Sequence, residues 1–345
     1  MDAGAWRAPH TIHRSPITIH TRPRFCFRKR SRSGIAARVK LLLIDGHYYV
    51  YRSFYAIRDL SNSRGEPTNA IYGFIKTVRR MVKDLAPDLG AVVWDEGLPQ
   101  RRTNLQPNYK ATRAEMPEPM RPQLDFIRGL MPALGFASFG VPGTEADDVM
   151  ASYAVAARAR GDEVVLATND KDLFQLVNGG VRVYTTNKTD LATPKDTHAL
   201  LGAEAVRKKW NVEPGQIGDV LALIGDSVDN IPGVVGLGPK TAAALLGEHG
   251  SLVALLAENF ASVKNEKLRA KLAAARTQIE QNIEMVRLDL DLPLPVALDD
   301  LRIAPRYPEL VAALESCEFK TLTAEIRAES AVVIAPAMPT QWDLF

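Results

Sequence analysis

"GTEADDVMASYAVAARARGDEVVLATNDKDLFQLV" (143–177) decides how this chain is to be read. Its middle, "EVVLAT" (163–168), is a short continuous apolar run of the kind found in strands buried on both faces of a parallel sheet. Thr144-Glu145-Ala146-Asp147 has the form of a helix start with Thr144 as N-cap and acids in the first turn. Working outward, "VKLLLI" (39–44), "LGAVVW" (89–94), "FASF" (136–139) and "VRVY" (181–184) read as four more strands. Between the first two, Ile71, Phe74, Ile75, Val78, Met81, Val82 and Leu85 recur at helical spacing. Strands alternating with helices give an α/β fold, a mainly parallel sheet with helices on both faces.

Ligands of such sheets bind beyond the carboxyl ends of the strands. Asp45 follows the first strand, Asp95 the second, and Asp170 and Asp172 follow "EVVLAT". Glu145, Asp147 and Asp148 open the helix after "FASF". Taken singly, Asp45 reads as a helix cap and Asp95 as a turn residue. Together they bring carboxylates from four strand ends to one edge, where a pair about 4 Å apart repels by roughly 4 kcal/mol at an effective dielectric of about 20. Something positive must sit among them.

Beyond residue 203 the pattern becomes helical, with 262–286 reading as one long amphipathic helix. Asp226 and Asp229 precede a Pro-Gly turn and bring the candidate carboxylates to nine, with no histidine among them. All-oxygen sites suit hard cations such as Mg2+ or Mn2+, and two such ions can clamp the attacking and leaving oxygens of a phosphodiester. "GVVGLGPKT" (233–241) resembles a nucleotide phosphate loop, but Pro239 stands where the lysine belongs and no strand precedes it. Pro239 suits the first position of a helix, Gly236 and Gly238 allow close approach of a phosphate, and Lys240 adds charge. That is the form of a hairpin holding a DNA backbone without reading its sequence. "LPQRRTNLQPNYKATRAEMPEPM" (98–120) is a basic insertion after the Asp95 strand. Arg101, Arg102, Lys110 and Arg113 charge it, and Tyr109 is available to stack on a base, so it reads as a substrate-contacting lid.

The chain has 345 residues, 46% of them hydrophobic, and a net charge of +3. No apolar run approaches the roughly 20 residues needed to cross a bilayer. Cys26 and Cys317 make no metal or disulfide pattern. The basic excess lies in residues 1–38, which hold nine Lys or Arg against the one acid Asp2. This leader, expected to be disordered, reads as an organelle transit peptide or as an extension ahead of a natural start at "VKLLLIDG". At the other end, "APAMP" reads as a flexible tether (331–345 in all) before Gln341-Trp342-Asp343-Leu344-Phe345.

The motifs "LLLIDGHYYVYRSFYAI", "VVWDEG", "NYKATR", "TEADDV", "TNDKDLFQLV" and "GDSVDNIPGVVGLGPKTAAALL" together resemble the 5'-3' exonuclease and flap endonuclease family, above all the exonuclease portion of bacterial DNA polymerase I. The resemblance spans roughly 39–256 and fades towards about 325. It implies a two-metal nuclease on a resolvase-like core (39–202), a helical DNA-binding domain (203–290) with a helix-hairpin-helix motif near 231–246, a C-terminal packing segment (291–330), and cleavage of DNA at 5' ends, flaps or nicks in replication and repair. Asp45, Asp95, Glu145, Asp147, Asp148, Asp170, Asp172, Asp226 and Asp229 match its metal ligands. Arg52, Lys110 and Arg113 match residues that steer the scissile phosphate. The Gly233–Thr241 region, with Thr241 in the turn, matches the duplex-binding motif that often holds K+. Asn169 and Val228 depart from the usual residues without removing a ligand. A polymerase portion is not expected, nor a membrane partner; the expected state is a monomer in a bacterial cytoplasm, or in an organelle if residues 1–38 are a transit peptide. "QWDLF" resembles the peptides that dock bacterial proteins on the sliding clamp, where Gln341 makes polar contacts and Leu344 and Phe345 fill an apolar pocket; the alternative is a tail folded onto its own domain. Two other classes, a non-catalytic DNA-junction binder and a small-molecule phosphohydrolase, fit the acids or the hairpin and lid less well.

Overall fold

The computed structural model describes residues 38–334 except Pro194, and these form one unit. The leader before residue 38 and the "QWDLF" peptide lie outside the described residues.

Five parallel strands and one antiparallel strand form a sheet of order β3-β2-β1-β4-β5-β6. They are β1 (Lys40–Asp45), β2 (Leu89–Glu96), β3 (Ala137–Pro142), β4 (Glu163–Ala167), β5 (Val181–Thr185) and β6 (Ala199–Leu201). The chain winds outward from β1 in one direction through β2 and β3, then crosses back to β4. This reversal beside β1 opens a crevice at the carboxyl ends of the strands. β6 is an element that the sequence pattern does not reveal; its three residues are too few to show a period.

Successive residues of a strand face opposite sides, and the two cores follow that rule. Leu41, Leu43, Ala91, Val93, Val164 and Leu166 enter one apolar cluster. Leu42, Ile44, Val92, Trp94, Val165 and Ala167 enter the other. The second face is covered by α1 (Gly46–Ala56), α2 (Asn69–Leu85) and, after the short basic helix α3 (Gln100–Leu105), by α4 (Arg121–Leu134). The first face is covered by α5 (Ala146–Ala159).

The later helices are α6 (Ala203–Trp210), α7 (Ile217–Ile224), α8 (Pro239–His249), α9 (Leu252–Ala257), α10 (Glu266–Ala274), α11 (Arg276–Val286), α12 (Tyr307–Ser316) and α13 (Lys320–Ile334), with a two-stranded ribbon, β7 (Gly225–Asp226) and β8 (Ile231–Pro232), after α7. Val220, Leu223, Leu246, Leu272 and Ile279 of these helices share the first core with the sheet, while Leu310, Leu322 and Ile326 of α12 and α13 close the second. Two readings need correction. Residues 262–286 are not one helix: the backbone leaves α10 at Ala275, and Asn265 caps α10 by accepting from Leu268 N at 3.0 Å. An Ala-rich stretch carries no local signal for such a break. Also, α13 runs on to Ile334, into the segment read as a tail.

β1 passes into α1 with no loop, because Asp45 is both the last strand residue and the N-cap of α1. Gly46 makes room for the fully buried Trp94: a Cβ there would lie 2.3 Å from the indole ring. Gly46→Ala is therefore expected to destabilise the protein by about 1–3 kcal/mol through overpacking, seen as a lower midpoint in thermal or urea melts. A midpoint equal to wild type would show that the Trp94 packing can yield freely.

Candidate active site

Each acid at the carboxyl edge is held by the fold. Asp45 accepts from Tyr48 N at 3.0 Å and from Thr168 Oγ1 at 3.1 Å, so β1 and β4 are tied through it. Thr168 Oγ1 also accepts from Asp170 N, and Asp170 in turn accepts from Asp172 N at 2.9 Å. The N-cap of α5 is Glu145 rather than Thr144, and the side chain that serves the first-turn N–H of Ala146 is Asp95 at 2.8 Å, reaching across from β2. A cap supplied by a residue far away in the chain leaves no mark in local sequence. His47, passed over in the sequence, accepts from Asp95 N through Nδ1 at 3.2 Å, and burial lowers its pKa, which favours the neutral ring.

The carboxylates of Glu145, Asp147 and Asp148 lie within 4.8 Å of one another. Burial is the main reason that Asp45 is pushed up to about 7, with the charges of Asp95 and Asp170 adding to it. Asp170 is pushed up to about 6 by burial, then by Asp147 and Asp229. Asp172 is held well above the carboxylate range by burial and by Asp170 and Asp147. These mutual effects show that acids from β1, β2, α5, the segment after β4 and the turn after β7 share one field.

The positive charge among them comes from the basic insertion and from Lys171. Arg102 is 1% exposed and bonds Glu145 and Asp148, with Asp147 3.7 Å away. Burial disfavours its charge, but Asp147 and Asp148 outweigh that and raise its pKa. Lys110 pairs with Glu145, and its backbone N–H donates to Asp229 O at 3.1 Å. Arg113 donates to Asp229 at 2.7 Å, and Lys171 pairs with Asp226 at 2.6 Å.

The lid reading changes at three residues. Arg102 and Tyr109, expected to face DNA, are buried; the Tyr109 hydroxyl bonds Glu145 at 2.9 Å and lies 3.3 Å from Asp229. Arg101 is turned inward to the end of α11, where it donates to Glu284 O and Arg287 O and lies 3.5 Å from Asp289. These side chains bond carboxylates and the carbonyls at the end of α11 instead of facing solvent. Arg52 is exposed on α1 and donates to Thr186 O at 3.2 Å.

In the hairpin ahead of α8, Gly238 is the N-cap, Pro239 the first helical residue, and Lys240 and Thr241 are exposed. Gly236 has φ +74°. A tight approach of backbone to backbone falls at Gly225 and Gly233, where a Cβ on Gly233 would lie 2.0 Å from Ile224 O. Among the described residues no helix is long and apolar enough to cross a membrane.

The family model "5'-3' exonuclease, N-terminal resolvase-like domain" matches residues 40–211, and "5'-3' exonuclease, C-terminal SAM fold" matches 212–309. A 5'-3' exonuclease of Aquifex aeolicus is 37% identical over 83% of this chain and 94% of its own length. The thermostable DNA polymerase I of Thermus thermophilus is 41% identical over 83% of this chain, which spans only 33% of that protein. Among solved structures, the bacteriophage T5 flap endonuclease in a pseudo-enzyme–product complex with DNA and metal ions superposes with a TM-score of 0.59 at 21% identity, covering 84% of this chain and 98% of that one. At that identity the likeness shows the fold.

The raised carboxyl pKa values fix a pH dependence. A raised group adds stability that is complete below its unfolded value near 3.8 and is lost as pH rises through its folded value, here about 6 for Asp170 and about 7 for Asp45. In EDTA the melting midpoint is therefore expected to fall between about pH 5 and about pH 8. If a divalent cation supplies the counter-charge that protons supply at low pH, millimolar Mg2+ should raise the midpoint at the alkaline end. A midpoint that climbs over this range in EDTA would mean that the acids are not crowded as described.

Proposed function

The chain belongs to the 5'-3' exonuclease family, and from that premise we propose that it is a metal-dependent, structure-specific nuclease hydrolysing DNA phosphodiesters at 5' ends and flaps. The observation that carries this reading is the field of crowded carboxylates at one sheet edge, overlaid by a loop that holds Lys110 and Arg113.

The donor set fits hard divalent cations: it is all oxygen, partly buried and short of positive charge. Asp45, Asp95, Glu145, Asp147, Asp170, Asp172 and Asp229 would hold two Mg2+ or Mn2+ ions, with Asp226 at the rim. Such ions supply a polarised phosphate and an activated water. The chain's own residues do the rest. Lys110 and Arg113 are tied to carboxylates at the mouth of the site, and an arriving phosphate exchanges for those carboxylates as their partner, which positions it over the acids. Arg52, exposed near the end of β5, extends that cationic rim. The first-turn N–H groups of α8, with Lys240 and Thr241, take a backbone phosphate further along the duplex, and K+ suits the same hairpin. Docking on a bacterial sliding clamp through Gln341, Leu344 and Phe345, a monomeric state and a bacterial cytoplasmic setting complete the reading on the strength of sequence.

Three experiments bear on it. Asp170→Asn is expected to reduce cleavage of a labelled 5' flap substrate in Mg2+ by about 100-fold or more while duplex binding stays within a few fold; substantial turnover in the variant argues against the assignment. Lys110→Ala and Arg113→Ala should mainly slow single-turnover cleavage, whereas Lys240→Ala should weaken duplex binding and flatten its salt dependence. The opposite pattern would exchange the roles of loop and hairpin. Deleting 341–345 should abolish binding to a purified bacterial clamp without changing clamp-free cleavage; equal binding by both proteins refutes the clamp reading.

A further inference from the structure

We infer that Arg102 and Asp148 form an internal positioning pair, in which Asp148 is bound to the arginine rather than to metal and fixes Glu145 and Asp147 for the reaction proposed above. The inference rests on that functional reading and goes beyond it by separating one carboxylate of the cluster from the others.

The guanidinium of Arg102 meets Asp148 fork to fork, Nη1 donating to Oδ2 at 2.8 Å and Nη2 to Oδ1 at 3.0 Å. Its other N–H groups are also used: Nε donates to Met285 O at 3.0 Å, Nη2 to Arg287 O at 3.2 Å, and Nη1 to Glu145 as well. Asp148 Oδ1 accepts a further bond from Asp289 N at 2.9 Å. Both residues are 1% exposed. Two parallel charge-assisted bonds are the strongest pairing that a carboxylate makes with a side chain, and an arginine cannot shed its proton to make way for a cation. Recruiting Asp148 to a metal would leave a buried guanidinium short of partners. Asp147 differs: its side chain is more accessible, and its contact with Arg102 is a long 3.7 Å.

One guanidinium therefore ties together three elements, namely the root of the basic loop in α3, the start of α5 that carries Glu145 and Asp147, and the chain leaving α11. Lysine has the charge but not the planar fork, so Arg102→Lys tests geometry apart from charge.

The experiment uses the full chain with Arg102→Lys and Asp148→Asn. Mn2+ ions bound per chain are counted by electron paramagnetic resonance, the Mg2+ concentration for half-maximal flap cleavage is measured well below the melting range, and folding is checked by melting in EDTA. Asp148→Asn is expected to bind as many Mn2+ ions as wild type, and both variants to need about tenfold more Mg2+, a shift that a merely structural role would not produce in folded protein. One Mn2+ fewer in Asp148→Asn, or a wild-type Mg2+ requirement in Arg102→Lys, overturns the inference. If Arg102→Lys shows no melting transition, the nearly isosteric Asp148→Asn carries both readouts. Wild-type protein that binds Mn2+ but cuts no DNA refutes the nuclease reading, and the Mn2+ count in Asp148→Asn still decides the pairing.

Discussion

Like charges crowded at the carboxyl edge of a sheet are the constraint that the rest of this structure answers. Asp45, Asp170 and Asp172 are each driven above the ordinary carboxylate range by burial and by neighbouring acids. The fold holds them there by using the same carboxylates as structural parts. Asp45 caps α1, Asp95 serves the start of α5, and Asp170 bonds the backbone of Asp172. Each acid is thereby fixed by hydrogen bonds to neutral partners, which add order without removing charge.

The cations divide into two kinds. Arg102 is enclosed and has every N–H committed, so it belongs to the framework. Arg113 reaches Asp229 from a loop at the surface with its side chain 44% exposed, whereas Lys110, at 11%, is nearly as enclosed as the Glu145 it pairs with. A surface ion pair is worth little and is readily traded, whereas a buried one is costly to break. The same electrostatic need is thus met by the enclosed charges of Arg102 and Lys110 and by Arg113, which is partly open to solvent.

Much of the fold was legible because its signals are periodic and local. Apolar runs marked the five parallel strands, and the acids after them could be placed on one edge by the general rule for such sheets. What escaped the sequence was decided by long-range contact. Nothing near Thr144 reveals that Asp95 supplies the hydrogen bond to α5. Arg101, Arg102 and Tyr109 look like a solvent-facing basic patch until the end of α11 and the start of α5 are brought beside them. β6 is too short for a period, and the break at Ala275 falls where alanines would continue a helix equally well. The partners of the acids are equally remote in sequence, since Asp226 pairs with Lys171 and Asp148 with Arg102.

The two cores carry a consequence for modularity. The stretches matched by the two family models meet at 211–212, yet Val220, Leu246 and Ile279 from the second lie in one apolar cluster with Leu41, Val93 and Leu166 from the first. Arg102 adds a polar seam across the same junction through Met285 O and Arg287 O. The boundary is genealogical rather than mechanical. Cutting the chain there would expose apolar side chains of that shared cluster, so a chimera joining halves from different relatives has to inherit matching sides of that seam.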